Sequence, residues 1–206
     1  KDRRSSGNAL SASLSDERIQ WFILDFVLPK LGWYMEKNNL YTVELETIYE
    51  IMNTVLMGTS ETDICGKYGI EMFSDYHNGN DGSINVKTYA DQLLTLNSTN
   101  KNYVQELVDF CVYSLGILYV NNQNYGFVHQ HLRDFFASVK IVTDMKLASY
   151  IFNTKKDIEL GHRCLTSLTS ELLSEEIMRF TGEILCEYQN VPIYTDGQWK
   201  SNMVKN

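Results

Sequence analysis

The sequence predicts a mainly α-helical protein that contains one short β-hairpin. Apolar residues recur with helical spacing in several long stretches, whereas β-favouring residues flank a polar turn at one place, residues 116–128. Only 2 prolines interrupt the 206 residues, and 13 Tyr and 9 Phe supply ample apolar surface for a core. We therefore expect one domain or two small ones with a packed interior.

Charge and cysteine content exclude several classes of protein. The chain has 18 Lys and Arg against 26 Asp and Glu, a net charge of -8, which disfavours a general nucleic-acid binder because phosphates repel an acidic surface. The 4 cysteines have no framework spacing, so a disulfide scaffold is excluded. The most apolar stretches, 21–33 and 104–120, contain charged residues and are shorter than the roughly 20 residues of a membrane span. With no secretory signal at residues 1–15, we expect a cytoplasmic protein without a membrane segment.

The first part of the chain predicts a linker and a long helix. Residues 1–14 are small and polar, which is typical of a flexible linker. Ser15 precedes two acids and is predicted to open a helix that is apolar on most sides. Pro29 should kink this helix or divide it in two, because proline lacks the backbone N–H. Asn38-Asn39 is predicted to end it.

Further helices are predicted before the hairpin. Thr42 is a candidate cap for a second helix that ends at Gly58. Residues 59–86 are predicted to be irregular, and a short helix is expected over Val86–Leu96. Tyr103–Leu115 has the apolar spacing of another helix.

The second half begins with the hairpin and continues with helices. Polar residues 121–124 separate the two β-favouring runs 116–120 and 125–128. A helix is predicted from His129 to about Lys146, followed by helices at roughly 157–172 and 174–188. On the first of these three, the pattern predicts one apolar face, and the opposite face contains Gln130, Arg133, Ala137, Lys140 and Asp144.

The order of three helices and a β-hairpin is the pattern of a winged helix. We predict a winged-helix domain over residues 15–146 and the start of a helical superstructure over 147–206. Many winged helices read DNA, but residues 43–57 and 104–118 contain only acids among their charged residues, and 119–128 contain no Lys or Arg. A protein that contacts phosphates and base edges needs those cations, so DNA binding is disfavoured.

Other candidate motifs lack residues that their chemistry requires. His129 and His131 resemble a metal pair, but only Asp134 nearby offers a third ligand. Residues 80–84 resemble part of a calcium loop without its bidentate glutamate, and residues 65–68 miss the spacing of a phosphate loop. No Ser/His/Asp or Cys/His arrangement is visible. The sequence predicts no metal site and no catalytic centre in this chain.

One segment, residues 125–138, resembles a known family. It is similar to the end of the winged-helix domain of NACHT-type signal-transducing NTPases, where a hairpin strand runs into Phe-x-His and the next helix carries an acid, an aromatic residue and Ala. The matching residues in this chain are Phe127, His129, Asp134, Phe135 and Ala137. Departures are Leu132 where Phe is usual, Arg133 where Gln is common, and Asp134 where Glu is usual. At the level of pattern the resemblance covers residues 15–190.

The resemblance implies a regulatory function. In that family, a nucleotide-binding core with its phosphate loop precedes this region, and a helical or repeat sensor follows it. The histidine that matches His129 contacts the β-phosphate of ADP and helps to hold the closed state. The resemblance thus implies ADP or ATP with Mg as cofactor of the parent protein, homo-oligomerisation, and a role in immune or anti-phage signalling. On this interpretation the parent protein is an ATPase, and this chain is a regulatory part of it that has no catalytic activity of its own.

Two other hypotheses remain open from the sequence alone. The first is a free-standing helical protein-interaction module that does not depend on nucleotide. The second is a transcription regulator that uses the winged helix on DNA. A phosphate loop encoded upstream in the gene would favour the family resemblance over the interaction module. Binding to duplex DNA with a steep salt dependence would favour the transcription regulator.

Overall fold

The computed structural model describes residues 20, 23–57, 102–169 and 173–189. These residues form a mainly helical structure with a small three-stranded antiparallel sheet, which confirms the predicted fold class at this level. The predictions for residues 1–14, for Ser15, for 59–86 and for Val86–Leu96 lie outside the described residues. In chain order the elements are α1 (Leu28–Lys37), β1 (Val43–Glu44), α2 (Leu45–Met57), α3 (Asn102–Asp109), β2 (Leu118–Asn121), β3 (Asn124–Phe127), α4 (Gln130–Tyr150), α5 (Ile158–Thr169) and α6 (Glu175–Gln189).

The first described helix changes its geometry beside Pro29. A π-helical turn, Ile23–Val27, leads into α1, and Pro29 occupies one of the first two positions of the α-helix. A proline is tolerated there because the first N–H groups of a helix have no partner within it. Val27, which precedes α1, keeps right-handed helical backbone angles (φ −73°, ψ −55°), so the helix changes from π to α geometry beside Pro29 without being divided in two. The predicted kink stays a prediction.

The end of α1 is a Schellman motif. Asn39 adopts the left-handed conformation with a φ of 52°, as Asn does more readily than most residues. Its N–H donates to the carbonyl oxygen of Glu36 at 3.0 Å, and the N–H of Leu40 donates to that of Met35 at 2.7 Å. These bonds satisfy the last carbonyl groups of the helix, so the predicted stop at Asn38-Asn39 is confirmed.

The predicted hairpin is present, and a third strand completes its sheet. β2 and β3 pair with Leu118 opposite Phe127, and β1 pairs with the other edge of β3, with Val43 opposite Tyr125. The sequence did not predict β1. Because residues 43 and 44 are extended, α2 begins at Leu45 and the prediction that Thr42 caps this helix is wrong.

Helix α4 lies at the centre of the described structure. It packs against α1, α5 and α6, and its residues Phe136, Ala137 and Leu147 are buried. The face predicted to lie opposite the apolar one is itself buried at three positions. Arg133, Ala137 and Asp144 are 5%, 0% and 3% exposed, because neighbouring helices cover more of α4 than one apolar stripe predicts.

Helices α5 and α6 both pack against α4, and their bounds agree with the predicted segments. Because α4 continues unbroken to Tyr150, the predicted domain boundary at residue 146 falls inside this helix. The division into two domains stays a prediction.

Among the described residues, none of the helices combines the length and apolar character needed to cross a membrane.

The hairpin turn allows a direct test of local backbone strain. Asn122 and Gln123 both have positive φ values, 48° and 68°, as a type I′ turn requires. Left-handed backbone costs a residue with a Cβ atom about 1–2 kcal/mol, whereas glycine adopts it freely. We expect Gln123→Gly to raise the free energy of unfolding by about 0.5–1 kcal/mol, measured by urea denaturation. Gln123→Ala is the matched control, and an equal gain for both variants would contradict this account.

Candidate functional site

The candidate site is the junction between β3 and α4, where His129 lies. His129 is the N-cap residue of α4, with an extended backbone (φ −139°, ψ 144°). Its carbonyl oxygen accepts hydrogen bonds from the N–H groups of Leu132 at 3.0 Å and Arg133 at 3.4 Å. Its side chain makes no capping hydrogen bond, and the residue is exposed. The backbone of His129 thus belongs to the fold, while its imidazole is accessible to a ligand.

The strand before His129 is firmly held. Phe127 is 6% exposed, and its ring stacks on that of Phe136 with 5.5 Å between centroids. The N–H of Val128 donates to the carbonyl oxygen of Ile117 at 3.0 Å, which extends the pairing of the hairpin to the residue next to His129. The chain therefore enters the junction in a defined direction.

Arg133 forms a buried ion network one turn into α4. Its Nε and Nη2 atoms lie 3.1 and 3.0 Å from Oδ1 of Asp134, and Nη2 also lies 2.6 Å from Oε2 of Glu36. The side chains of Arg133 and Asp134 are 7% and 4% exposed, and that of Glu36 is 23% exposed. The network thus joins α4 to the end of α1 through charges that are largely withdrawn from water.

The same arginine contacts the segment that leads from α1 to β1. Its Nη1 donates to the carbonyl oxygen of Leu40 at 3.3 Å, and its guanidinium carbon lies 5.7 Å from the centre of the Tyr41 ring. The Schellman motif at the end of α1 places that carbonyl. This segment continues into β1, and β1 pairs with β3, the strand that leads into the junction. Arg133 therefore connects the start of α4 to elements on both sides of the junction.

Helix α6 supports the other side of α4. The hydroxyl of Ser138, which is fully buried, lies 2.8 Å from the carbonyl oxygen of Asp134 and 3.0 Å from that of Ile177. The Oγ of Ser174 in turn accepts a hydrogen bond from the N–H of Ile177 at 3.3 Å. These contacts fix the beginning of α6 beside the first turns of α4.

The exposed face of α6 carries an ion network of its own. Arg179 lies 2.6 Å from Glu176 and 2.9 Å from Glu183. The hydrogen bond from Arg179 lowers the pKa of Glu176, and the charges of Arg179 and His131 act in the same direction. Each network joins one arginine to two carboxylates, but the side chains of the surface network are far more exposed.

Two of the described cysteines, Cys111 and Cys164, have buried thiols. Burial raises the pKa of the Cys111 thiol to about 12 and, together with the charge of Asp144, raises the pKa of Cys164 to about 11. Both thiols are therefore protonated near neutral pH and are poor nucleophiles. Among the residues that the structure describes, no cluster of three His, Cys, Asp or Glu side chains could hold a metal ion.

The residues of the resemblance fall into two groups. Phe127, Asp134 and Ala137 are buried and Phe135 is half-buried, whereas His129 is exposed. Sequence reasoning missed the role of Arg133, which it assigned to the face opposite the apolar one. The available signal was a pair of adjacent opposite charges, Arg133-Asp134, within an otherwise apolar run.

In comparisons with known proteins, no protein-family model, curated protein or solved structure matches this chain. The functional argument therefore depends on the residues of the junction. The decisive feature among them is His129, because its backbone is held on both sides while its side chain faces solvent.

Proposed function

We propose that this chain is the winged-helix and first helical-arm region of a NACHT- or STAND-type ATPase, non-catalytic by itself, and that His129 senses the bound nucleotide. The observation that carries the proposal is the exposed imidazole of His129 at a rigid strand-to-helix junction, together with the segment's resemblance to that family. In the parent protein the upstream nucleotide-binding core would hold ADP or ATP with Mg, and His129 would contact the β-phosphate of ADP.

The order of the described elements supports the winged-helix part of the proposal. A strand lies between the first two described helices, a helix precedes the hairpin, and the sheet order is β1-β3-β2. A winged helix has this arrangement, in which the hairpin gains a third strand from the segment between its first two helices. The chemistry of the junction is also suitable, since an imidazole N–H can donate to a phosphate oxygen.

The proposed mechanism is a shift between two conformations. With ADP bound, the contact from His129 stabilises the closed arrangement of the winged helix on the nucleotide-binding core. Exchange for ATP weakens this contact, so the open arrangement, which oligomerises, becomes more populated. The free energy for the change from the closed to the open arrangement comes from the difference between the contact of His129 with ADP and its contact with ATP.

His129→Ala in the parent protein tests this proposal. A hydrogen bond to a charged group contributes about 1.5–3 kcal/mol, so loss of the contact is expected to speed ADP release at least about tenfold. ADP dissociation is measured by chasing a fluorescent ADP analogue with unlabelled ADP. His131→Ala is the matched control, because His131 is also exposed and lies two residues away, and it should leave the rate unchanged.

Two outcomes would overturn the proposal. An unchanged ADP release rate in His129→Ala would remove the sensor role. A gene that encodes no phosphate loop followed by an acidic strand upstream of this region would favour the alternative of a helical interaction module that needs no nucleotide.

DNA binding is the second candidate function, because the strand and helix order also fits DNA-reading winged helices. The charges oppose it: α2 and α3 carry acids and no Lys or Arg, and the hairpin carries no charged residue. Phosphate contacts need cations, so we expect no retention on duplex DNA even at low salt. Retention that falls steeply as salt rises would establish DNA binding instead.

A further inference from the structure

We infer that Arg133 is a positioning residue for His129, holding the start of α4 so that the imidazole can reach the nucleotide. This inference rests on the proposed function and deepens it. It starts from the fact that the arginine and the histidine are joined directly, since the N–H of Arg133 donates to the carbonyl oxygen of His129 at 3.4 Å. Any displacement of the first turn of α4 therefore moves His129 with it.

The side chain of Arg133 determines where that turn lies. Its guanidinium contacts the carboxylates of Asp134 and Glu36 and the carbonyl oxygen of Leu40. Two of these three partners belong to the end of α1 and the segment after it, and only Asp134 belongs to α4. A planar guanidinium donates in fixed directions, so satisfying all three partners allows little rotation or sliding of α4 against α1.

Packing alone does not require an arginine at this position. A buried ion pair is often no more stabilising than apolar residues of similar volume, because the charges must be withdrawn from water. The charged network adds directional hydrogen bonds that restrict the position of α4, whereas an apolar side chain of similar volume would tolerate small shifts of the helix. A hydrogen bond from His129 to a phosphate tolerates a shift of only a few tenths of an ångström before it weakens.

The junction is constrained from its other side as well. Phe127 is fixed by strand pairing and by stacking on Phe136, and β3 is paired with β1. His129 thus lies between an anchored strand and an anchored helical turn. The contacts that hold the helical turn are made by charged groups around Arg133. Conservative substitutions can therefore weaken them without removing side chains from the apolar core.

The test measures ADP release from the parent protein with conservative variants. Arg133→Lys keeps the positive charge but loses the fork of donors, and Glu36→Gln removes one partner without touching α4. We expect Arg133→Lys to speed release of the fluorescent ADP analogue about tenfold, like His129→Ala, and Glu36→Gln to do so by a smaller factor. The double variant His129→Ala/Arg133→Lys should release ADP no faster than His129→Ala. Arg179→Lys on the surface of α6 is the matched control and should leave the rate unchanged.

The outcomes distinguish the inference from the proposed function. If His129→Ala speeds ADP release and Arg133→Lys does not, the inference fails and the proposed function stands. If His129→Ala has no effect, the proposed function fails and the inference with it. If the two effects multiply in the double variant, Arg133 acts through general stability, and the positioning role is overturned. Should Arg133→Lys not fold, Glu36→Gln decides by the same comparisons.

Discussion

Replacement of Arg133 by Met is expected to lower the free energy of unfolding by about 3–5 kcal/mol. The reason is that Asp134, whose side chain is 4% exposed, would lose its positive partner and stay buried with an uncompensated charge. Glu36 would lose the same partner but is 23% exposed, so water reduces its share of the loss. Urea denaturation of the chain, with Arg133→Met compared with the unchanged sequence, measures the effect.

The control for this substitution is Arg179→Met on α6. Like Arg133, Arg179 pairs with two carboxylates, but its side chain is 50% exposed, and exposed ion pairs contribute little. We expect it to reduce stability by only a small fraction of the effect at Arg133. If the two variants lost the same stability, burial would not be what makes the Arg133 network important.

Gly32→Ala is the second substitution with a large expected effect. A Cβ atom at Gly32 would lie 2.9 Å from the carbonyl oxygen of Arg133 and 3.1 Å from the backbone nitrogen of Ala137. Backbone atoms cannot move aside as a flexible side chain can, so α1 and α4 would have to separate. Overpacking of this kind costs about 1–3 kcal/mol against a gain of about 1 kcal/mol that alanine brings to a helix interior, and a contact with rigid backbone belongs at the upper end of that cost, which leaves a net loss of up to about 2 kcal/mol. A net loss of stability is therefore expected.

Gly182→Ala in α6 is the matched control, with an expected change of opposite sign. Among the described residues, no heavy atom outside the adjacent stretch of α6 lies within 4 Å of a Cβ placed at Gly182, and the residue is exposed. Only the helix propensity then changes, so we expect a gain of about 0.5–1 kcal/mol in the free energy of unfolding. A stabilising Gly32→Ala would show that α1 and α4 are not in close contact at this point.

The local features of the fold were predictable because their causes lie within a few residues. The polar turn between two β-favouring runs predicted the hairpin, since Asn122 and Gln123 can adopt the backbone that a tight turn needs. Asn38-Asn39 marked the end of α1 for an equally local reason. Each of these depends on backbone conformation rather than on a distant partner.

The candidate site was predictable in part. The resemblance of residues 125–138 to a known family singled out His129, and the structure places it in an exposed position at the junction. The same resemblance could not identify Glu36 as a partner of Arg133, because the two residues lie far apart in the chain. Nor could it show that Arg133 faces inward, since a charged residue is normally assigned to solvent.

The sequence by itself determined that this chain is mainly helical, where its hairpin turns and where its first described helix stops. Helical period, proline, asparagine and turn residues act on the backbone beside them, so no other part of the molecule is needed. Only the tertiary structure decided that residues 43 and 44 form a strand and that Arg133 and Asp144 are buried. Those outcomes depend on which surfaces meet, because β1 needs the edge of β3 for its hydrogen bonds and α4 is covered by α1, α5 and α6.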